Sequence, residues 1–412
     1  MKKVLSRIFI GLFVLLLIAG GIVGGLYLSG RNKLRSEVLA GEDLSAIGGF
    51  EDPIPTETLP VMVIDEEGNL TMVDESGDAI NQPENPTTTP TEEVPEGIAE
   101  ETHQENPEST ATEVTGTVPA NTVVVTDDED GVVTYKGQRY RYNEDLVTIL
   151  VMGVDKMSEV TAAAHGADGG QADAVFLLLL DGSSGQINIV AINRNSMVQV
   201  DAYNRDGSYA GTGSMQLALQ HAYGDGMGVS NNRMAEAVSR MFHNIPIHAY
   251  ASMNMAGIAP LNDAIGGVTL TPIMDVPYNP NIKQGQEITL MGQDAYDYVH
   301  WRDWENEFAS ADKRLEREKQ YLSIFGKKVL SQIKSDPSVV TRLYSTVQKY
   351  LVTDLSLDRI TYLAAECGGY RFDANNIYSV PGTTRMGFMY EEYVVDEEGL
   401  RELIINLFFK KI

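Results

Sequence analysis

Two short apolar runs, Ala174–Leu180 and Ile187–Ile192, flank the turn Asp181-Gly-Ser-Ser-Gly185. Runs this apolar on both sides of a turn predict a hairpin in the buried middle of a sheet. A hairpin pairs its outer ends, so Asp173 and Arg194, about equidistant from the turn, are expected to face each other. A third buried run, Leu146–Val154, ends at Asp155. If it joins the same sheet in the matching direction, two carboxylates and a guanidinium meet at one edge. Carboxylates so placed suit a hard cation, and the arginine suits a phosphate. The pattern points to phosphate chemistry.

The 412-residue chain carries a formal net charge of −27, unevenly distributed. No Lys or Arg occurs between Arg35 and Lys136, whereas Asp and Glu recur throughout that gap. So acidic a chain is a poor partner for nucleic acid. Cys367 is the single cysteine, which excludes an intramolecular disulfide and leaves the compartment open. Near the N-terminus, Ile8–Leu28 is an uninterrupted apolar run, and about 20 such residues cross a bilayer as a helix. Neither an A-x-A-like cleavage site nor a lipobox cysteine accompanies it, so it reads as an uncleaved signal anchor. Lys2, Lys3 and Arg7 before it are matched by Arg31, Lys33 and Arg35 after it, which biases orientation little. The short N-terminal flank and the large polar remainder place the body outside. The expectation is a single-pass protein of the cell membrane, with residues 1–7 cytoplasmic, 8–28 spanning, and the C-terminal body extracellular.

Residues 29–121 are rich in Asp, Glu, Pro and Thr and bury too little apolar surface to offset ordering entropy, which predicts a disordered acidic stalk. Within it, Leu59–Ile64 and Asn69–Val73 have the makings of a weak hairpin. The stalk reads equally as a spacer across an envelope layer or as a plain tether. Folded structure is expected from about residue 122 to 412, beginning with a hairpin in Val132–Tyr142 that turns at Gly137. Helical periodicity marks Met215–Tyr223, Asn232–Phe242, Ile258–Ile265, Gly292–Val299, Ala311–Ile333, Val339–Val352, Leu357–Cys367 and Glu398–Phe409. Further strands are expected at Ala249–Met253, Val268–Thr271, Ile377–Val380 and Gly387–Val394. Strands interleaved with helices argue an α/β domain, and the hairpins make its central sheet mixed. About 270 residues suffice for one large core.

Each candidate has an ordinary alternative. An Asp at a strand end is commonly a turn former, which applies to Asp155 and to Asp173. Arg194, in Asn193-Arg-Asn195, reads alone as a solvated charge. A second cluster follows Tyr298-Val-His-Trp-Arg302: Arg314 and Arg317 lie three apart on a predicted helix and share a face. Glu316, Glu318 and Lys319 would equally make that helix a salt-bridged surface. His221, His243 and His248 lack metal-ligand spacing and read as structural, and Met227, Met253 and Met255 read as packing. No Walker motif, Gly-x-Ser-x-Gly or H-E-x-x-H is present.

At these residues the chain resembles the LytR-CpsA-Psr family of bacterial envelope phosphotransferases, over roughly Asp145–Lys410. Leu150-Val-Met-Gly-Val-Asp155 is similar to the family's L-x-G-x-D. Gln171-Ala-Asp-Ala174 is similar to its R-S-D-T, and Ala191-Ile-Asn-Arg-Asn195 to its S-I-P-R-D. His221-Ala-Tyr-Gly224, Ile245-Pro-Ile247 with Asn254, and Asp263-Ala-Ile-Gly-Gly-Val268 follow in the family's order. Tyr298–Arg302 resembles Y-V-R-x-R, and Arg314-Leu-Glu-Arg317 resembles R-x-x-R-Q with Glu318 in place of the Gln.

The resemblance implies a layered α/β/α domain after the anchor and stalk. It implies transfer of a glycopolymer, of teichoic acid or capsule type, from a polyprenyl pyrophosphate to a peptidoglycan sugar hydroxyl. Asp155 and Asp173 would hold Mg²⁺ (or Mn²⁺), with Asp155, Asp173, Arg194 and Arg302 catalytic. Arg194, Arg302, Arg314, Arg317 and His300 would bind the pyrophosphate. Three positions depart from the family pattern: His300 replaces an Arg, Asn195 replaces an Asp, and Gln171 replaces an Arg. A polyprenyl-pyrophosphate hydrolase and a catalytically weakened lipid-binding or regulatory protein are the alternatives. A metal-dependent product separates the enzymes from the binder, and the acceptor separates transferase from hydrolase.

Overall fold

The structure, a computed structural model, describes residues 28–31, 47, 61–64, 70–73, 125–126, 131–164, 168–303, 307–387 and 390–412. The expected anchor at 8–28, except its last residue, lies outside the described residues, as does most of the expected stalk. Among the described residues no helix is long and apolar enough to cross a membrane. Within the stalk range, Val61–Ile64 (β1) and Leu70–Val73 (β2) form the short antiparallel hairpin expected there.

Val125–Thr126 (β3), Val132–Tyr135 (β4) and Gln138–Tyr142 (β5) build a small antiparallel sheet, not an edge of the central one. Lys136 and Gly137 take positive φ at its turn. The central strands are Leu146–Val154 (β6), Ala172–Asp181 (β7) and Gln186–Ile192 (β8). Each is apolar on both faces and therefore sits inside the sheet. Leu150, Leu177, Leu179 and Val190 have no exposed surface, and burying each stabilises the fold by about 2 kcal/mol.

Met197–Tyr203 (β9) and Tyr209–Gln216 (β10) form a separate hairpin. This corrects the helix expected from Met215. Gly211, Gly213 and Met215 are buried while their neighbours are less so, a period of two that carries Met215 into the strand. Two glycines on the inward face hid that alternation, and helix begins only with Ala218–Ala222 (α1) and resumes at Gly228–Met241 (α2). Ala249–Asn254 (β11) pairs parallel with β6. Ile258–Ala264 (α3) stops where Gly266 and Gly267 take positive φ. Val268–Leu270 (β12), Ile288–Leu290 (β13) and Gln293–His300 (α4) then enclose a second small core around Leu290 and Tyr298.

Ser310–Ser335 (α5) is followed by Val339–Val347 (α6). The helix expected to continue to Val352 breaks instead, because Leu351–Thr353 (β14) pairs antiparallel with β11 and ends the sheet. Leu357–Cys367 (α7) matches expectation. Arg371–Ser379 (β15) pairs parallel with β8 and begins earlier than expected. Gly382–Met386 (β16) and Glu391–Val395 (β17) make a hairpin where one strand was expected. Glu397–Phe408 (α8), capped by the Asp396 side chain, leads into Phe409–Lys411 (β18), which closes on β5.

The central sheet runs β14-β11-β6-β7-β8-β15 with parallel and antiparallel pairs. One face packs on α2 and α8 through Met234, Val238, Ile404 and Phe408. The other packs on α5 and α7 through Leu330, Tyr362 and Leu363. The domain is therefore the layered α/β/α arrangement with a mixed sheet.

Candidate active site

The β7–β8 register pairs Val175 with Ile192, and two residues further out it sets Asp173 opposite Arg194. Arg194 donates from Nη1 to Asp173 Oδ1 and from Nη2 to Gln171 Oε1. From the first turns of α5, Arg314 donates from Nη1 to Asp173 Oδ2 at 2.9 Å and from Nη2 to the Asp173 carbonyl at 2.8 Å. Burial alone would raise the Asp173 pKa. Arg314 and Arg194 outweigh it and hold the carboxyl below its ordinary range.

Asp155 follows β6 and faces the segment before β7. Its N–H donates to the Gln171 carbonyl at 3.1 Å, and its Oδ1 accepts from the Gln171 N–H at 2.7 Å. Oδ2 has no partner among the described residues. The residue keeps an exposed surface, yet its carboxyl end is crowded. That partial burial, opposed by the Gln171 bond and reinforced by nearby Asp173, raises its pKa. The loop bearing Gln171 is itself anchored: buried His221 bonds through Nδ1 to the Gly170 carbonyl at 2.8 Å, the structural role expected of it.

Arg302 leaves the end of α4 half-buried. Its charge interacts with Arg314, Arg194 and Asp173, yet it makes no hydrogen bond or ion pair among the described residues. A guanidinium left open in this way beside two others is a site for a doubly charged oxyanion. His300 stacks on Tyr296 with ring centroids 4.7 Å apart. Burial, then Arg314, pushes its pKa down, so it is neutral at pH 7 and adds no cation.

Arg317 is placed differently from its neighbour. It is 1% exposed and donates from Nε to the Tyr298 carbonyl at 2.8 Å and from Nη2 to the Trp301 carbonyl. A cation on the last carbonyls of α4 satisfies unpaired acceptors and complements the helix dipole. Arg317 thus positions the segment that carries His300 and Arg302 and leaves Asp173 to Arg314. Below Arg314, Glu318 Oε1 lies 3.5 Å from Nε. Burial, partly offset by Arg314, lifts this glutamate to about 7. Of the ion pairs anticipated for this helix, Glu316–Lys319 forms at the surface, 2.9 Å apart, and Arg314–Glu318 forms in the interior. Gln171 and Glu318 were visible in the sequence only as departures from a motif. What they do depends on chain neighbours that periodicity does not reveal.

Among the described residues no group of three or more His, Cys, Asp or Glu side chains is placed to hold a metal by itself. Asp155 Oδ2 is open, whereas both Asp173 oxygens are taken by Arg194 and Arg314. Mg²⁺, an ion that takes one or two carboxylates and completes its shell with phosphate oxygens and water, would therefore reach Asp173 only once Arg194 moves away.

An apolar surface adjoins this cluster. On β7, Val175, Leu177 and Leu179 are sealed, whereas Ala174 and Leu178, on the other face, stay partly open. Val151, Leu315, Leu322, Phe372 and Ile377 continue that surface between sheet and α5, each only partly buried. Ser310, Ala311, Arg314, Arg317 and Ile333 are the buried residues of the 26 in α5, so the helix covers the sheet loosely.

A family model described as the LytR_cpsA_psr family matches residues 104–407. The polyisoprenyl-teichoic acid–peptidoglycan teichoic acid transferase TagU of Oceanobacillus iheyensis is 26% identical over 267 residues, which is 63% of this chain and 74% of that protein. The protein of the same name from Bacillus subtilis is 22% identical over 270 residues, 64% of this chain and 78% of that one. Protein gbs0355 from Streptococcus agalactiae, a crystal structure 17% identical in sequence, superposes with a TM-score of 0.51 over 64% of this chain and 86% of its own. That likeness concerns the fold alone.

Proposed function

Because this chain belongs to the LytR_cpsA_psr family, we propose that it transfers a glycopolymer of teichoic acid or capsule type from a polyprenyl-pyrophosphate carrier to a sugar hydroxyl of peptidoglycan. The names of its relatives support the substrate class. The observation that carries the reading is Arg302, without a partner among the described residues and set beside the Arg194–Asp173–Arg314 cluster.

The pyrophosphate lies against Arg302 and draws Arg194 from Asp173 toward its oxygens. The isoprenoid tail follows the loosely covered apolar face under α5, past Leu315 and Leu322. The acceptor oxygen bonds to the phosphorus nearer the polymer. The bridging P–O bond breaks, and polyprenyl monophosphate leaves with the bonding electrons while the hydroxyl proton passes to solvent. Such a transfer needs mainly alignment and charge stabilisation. Mg²⁺ or Mn²⁺, held by Asp155 and Asp173, would neutralise pyrophosphate charge when bound. Arg314 keeps Asp173 ionised, and Gln171 fixes the rotamer of Asp155. The run at 8–28 anchors the domain on the outer face of the membrane.

The full chain in detergent, supplied with Mg²⁺, a short-chain polyprenyl-pyrophosphate oligosaccharide and peptidoglycan fragments, tests this by mass spectrometry. A phosphodiester-linked adduct lost in Asp155→Ala and Arg194→Ala is expected. Release of the polymer phosphate to water alone would make the protein a hydrolase. Donor bound but never turned over, where an active relative works, would make it a lipid-binding protein.

A further inference from the structure

A cleft of about 250 Å³ opens at Lys156, the chain neighbour of Asp155, and among the described residues no arginine lines it. Lys156, Ser158, Thr161, Asp168 and Asn254 form its polar walls. Val154 and Asn254 are partners in the parallel β6–β11 ladder. The cleft therefore lies beyond the carboxyl ends of two parallel strands, where open α/β sheets bind ligands.

Its walls are tied to separate parts of the body. The Val160 N–H donates to the Lys349 carbonyl and the Ala163 N–H to the Asp225 carbonyl, each at 2.8 Å. Lys156 Nζ donates to the Asp168 carbonyl at 2.7 Å. Asn254, 7% exposed, donates from Nδ2 to the Ser158 carbonyl at 2.9 Å. That bond assigns its nitrogen and leaves Oδ1 as a lone acceptor at the cleft wall, without a partner among the described residues.

The chemistry selects the occupant. At the walls the charges of Asp168 and Lys156 offset each other, and Asp155 is the chain neighbour of Lys156. Glu159, also at the wall, is neutralised by Lys349 at 2.7 Å. Such walls carry no net positive charge and, among the described lining residues, no arginine, so a phosphate or polyanionic chain is poorly matched to them. Neutral hydroxyl and acetamido groups are matched: carboxylate and amide oxygens accept from them, and the Lys156 ammonium donates to them. The volume suits a sugar ring with its substituents better than a lipid.

We propose that this cleft is the acceptor subsite, binding a neutral N-acetylated saccharide and presenting its hydroxyl past Asp155 to the phosphate held at Arg302 and Arg194. The proposal rests on the transfer reading above.

The probe is a soluble N-acetylglucosamine tetramer, titrated against the full chain in detergent by saturation-transfer NMR, with donor-lipid binding measured in parallel. Asn254→Leu removes the lone acceptor. Thr161→Trp fills the cleft from an exposed position whose side chain makes no hydrogen bond among the described residues, so it keeps the test open if the first variant misfolds. Expected is saturable binding of the tetramer that weakens about tenfold in either folded variant, roughly the loss of one hydrogen bond, with donor affinity unchanged. No saturable binding by the wild type, or variants that bind the tetramer like the wild type, overturns the subsite. Tetramer binding that obeys the variants, in a chain that never transfers polymer, keeps the saccharide subsite and removes the transfer reading instead.

Discussion

Arg314 holds Asp173 at two points, its carboxylate at 2.9 Å and its backbone carbonyl at 2.8 Å. Both residues are nearly without exposed surface. One planar fork thus fixes the side chain and the strand end that bears it. In Arg314→Ala the carboxylate stays buried with Arg194 as its remaining cation. Breaking such a pair costs about 3 kcal/mol, and urea denaturation should read a loss of that order. Arg314→Lys should recover little, because a single ammonium does not span both acceptors. A loss below about 1 kcal/mol would make the pair dispensable.

Arg302 offers the opposite case. With no partner among the described residues, its removal leaves nothing unsatisfied. Arg302→Ala should keep its stability within about 0.5 kcal/mol and lose about a hundredfold in transfer rate, the scale of one lost charge-stabilising donor. Thermal denaturation beside a turnover assay separates the two. Destabilisation together with retained turnover would move Arg302 out of the site.

Glu318 sets a pH dependence with a definite sign. Its pKa rises from 4.5 to about 7 on burial. Between those values the folded chain keeps a proton that the unfolded chain has released. This contribution is therefore greatest below about pH 4.5 and is lost as pH rises toward 7. Glu318→Gln should flatten that decline. It should also be more stable at pH 8 by roughly 3 kcal/mol, since the rise from 4.5 to about 7 spans about 2.5 tenfold steps in proton affinity at roughly 1.4 kcal/mol each. An unchanged slope in the variant would falsify the assignment.

At His300 the depressed pKa predicts a neutral ring at pH 7. His300→Arg places a permanent cation beside Arg302 and should strengthen inorganic pyrophosphate binding several-fold, more at low salt than at high. Calorimetry at two ionic strengths reads this directly. Unchanged or weaker binding would show that the position does not face the phosphate.

Much of the site is legible because it is local in a sheet. The turn at Asp181–Gly185 and two apolar runs set the β7–β8 register, and that register alone brings Asp173 to Arg194. The β9–β10 hairpin was not legible, since its inward positions include Gly211 and Gly213, which carry no hydrophobic signal. Edge strand β14 was hidden for another reason: Leu351–Thr353 is too short to show a period, and only β11 makes it a strand.

The amino-acid pattern by itself determined the three central strands, the pairing of Asp173 with Arg194, the placing of Asp155 at a strand end, and the family resemblance. Tertiary structure decided what each arginine touches. Arg314 and Arg317, three apart on α5, differ by about 60° around the helix axis. α5 lies between the sheet and the small core around Tyr298, so that turn sends one guanidinium to Asp173 and the other to the carbonyls ending α4. Asp155 and Asn254, about a hundred residues apart, likewise share one neighbourhood only through the parallel β6–β11 ladder. Periodicity reports which side of an element is buried. What lies against that side depends on elements distant in the chain, and only their packing supplies it.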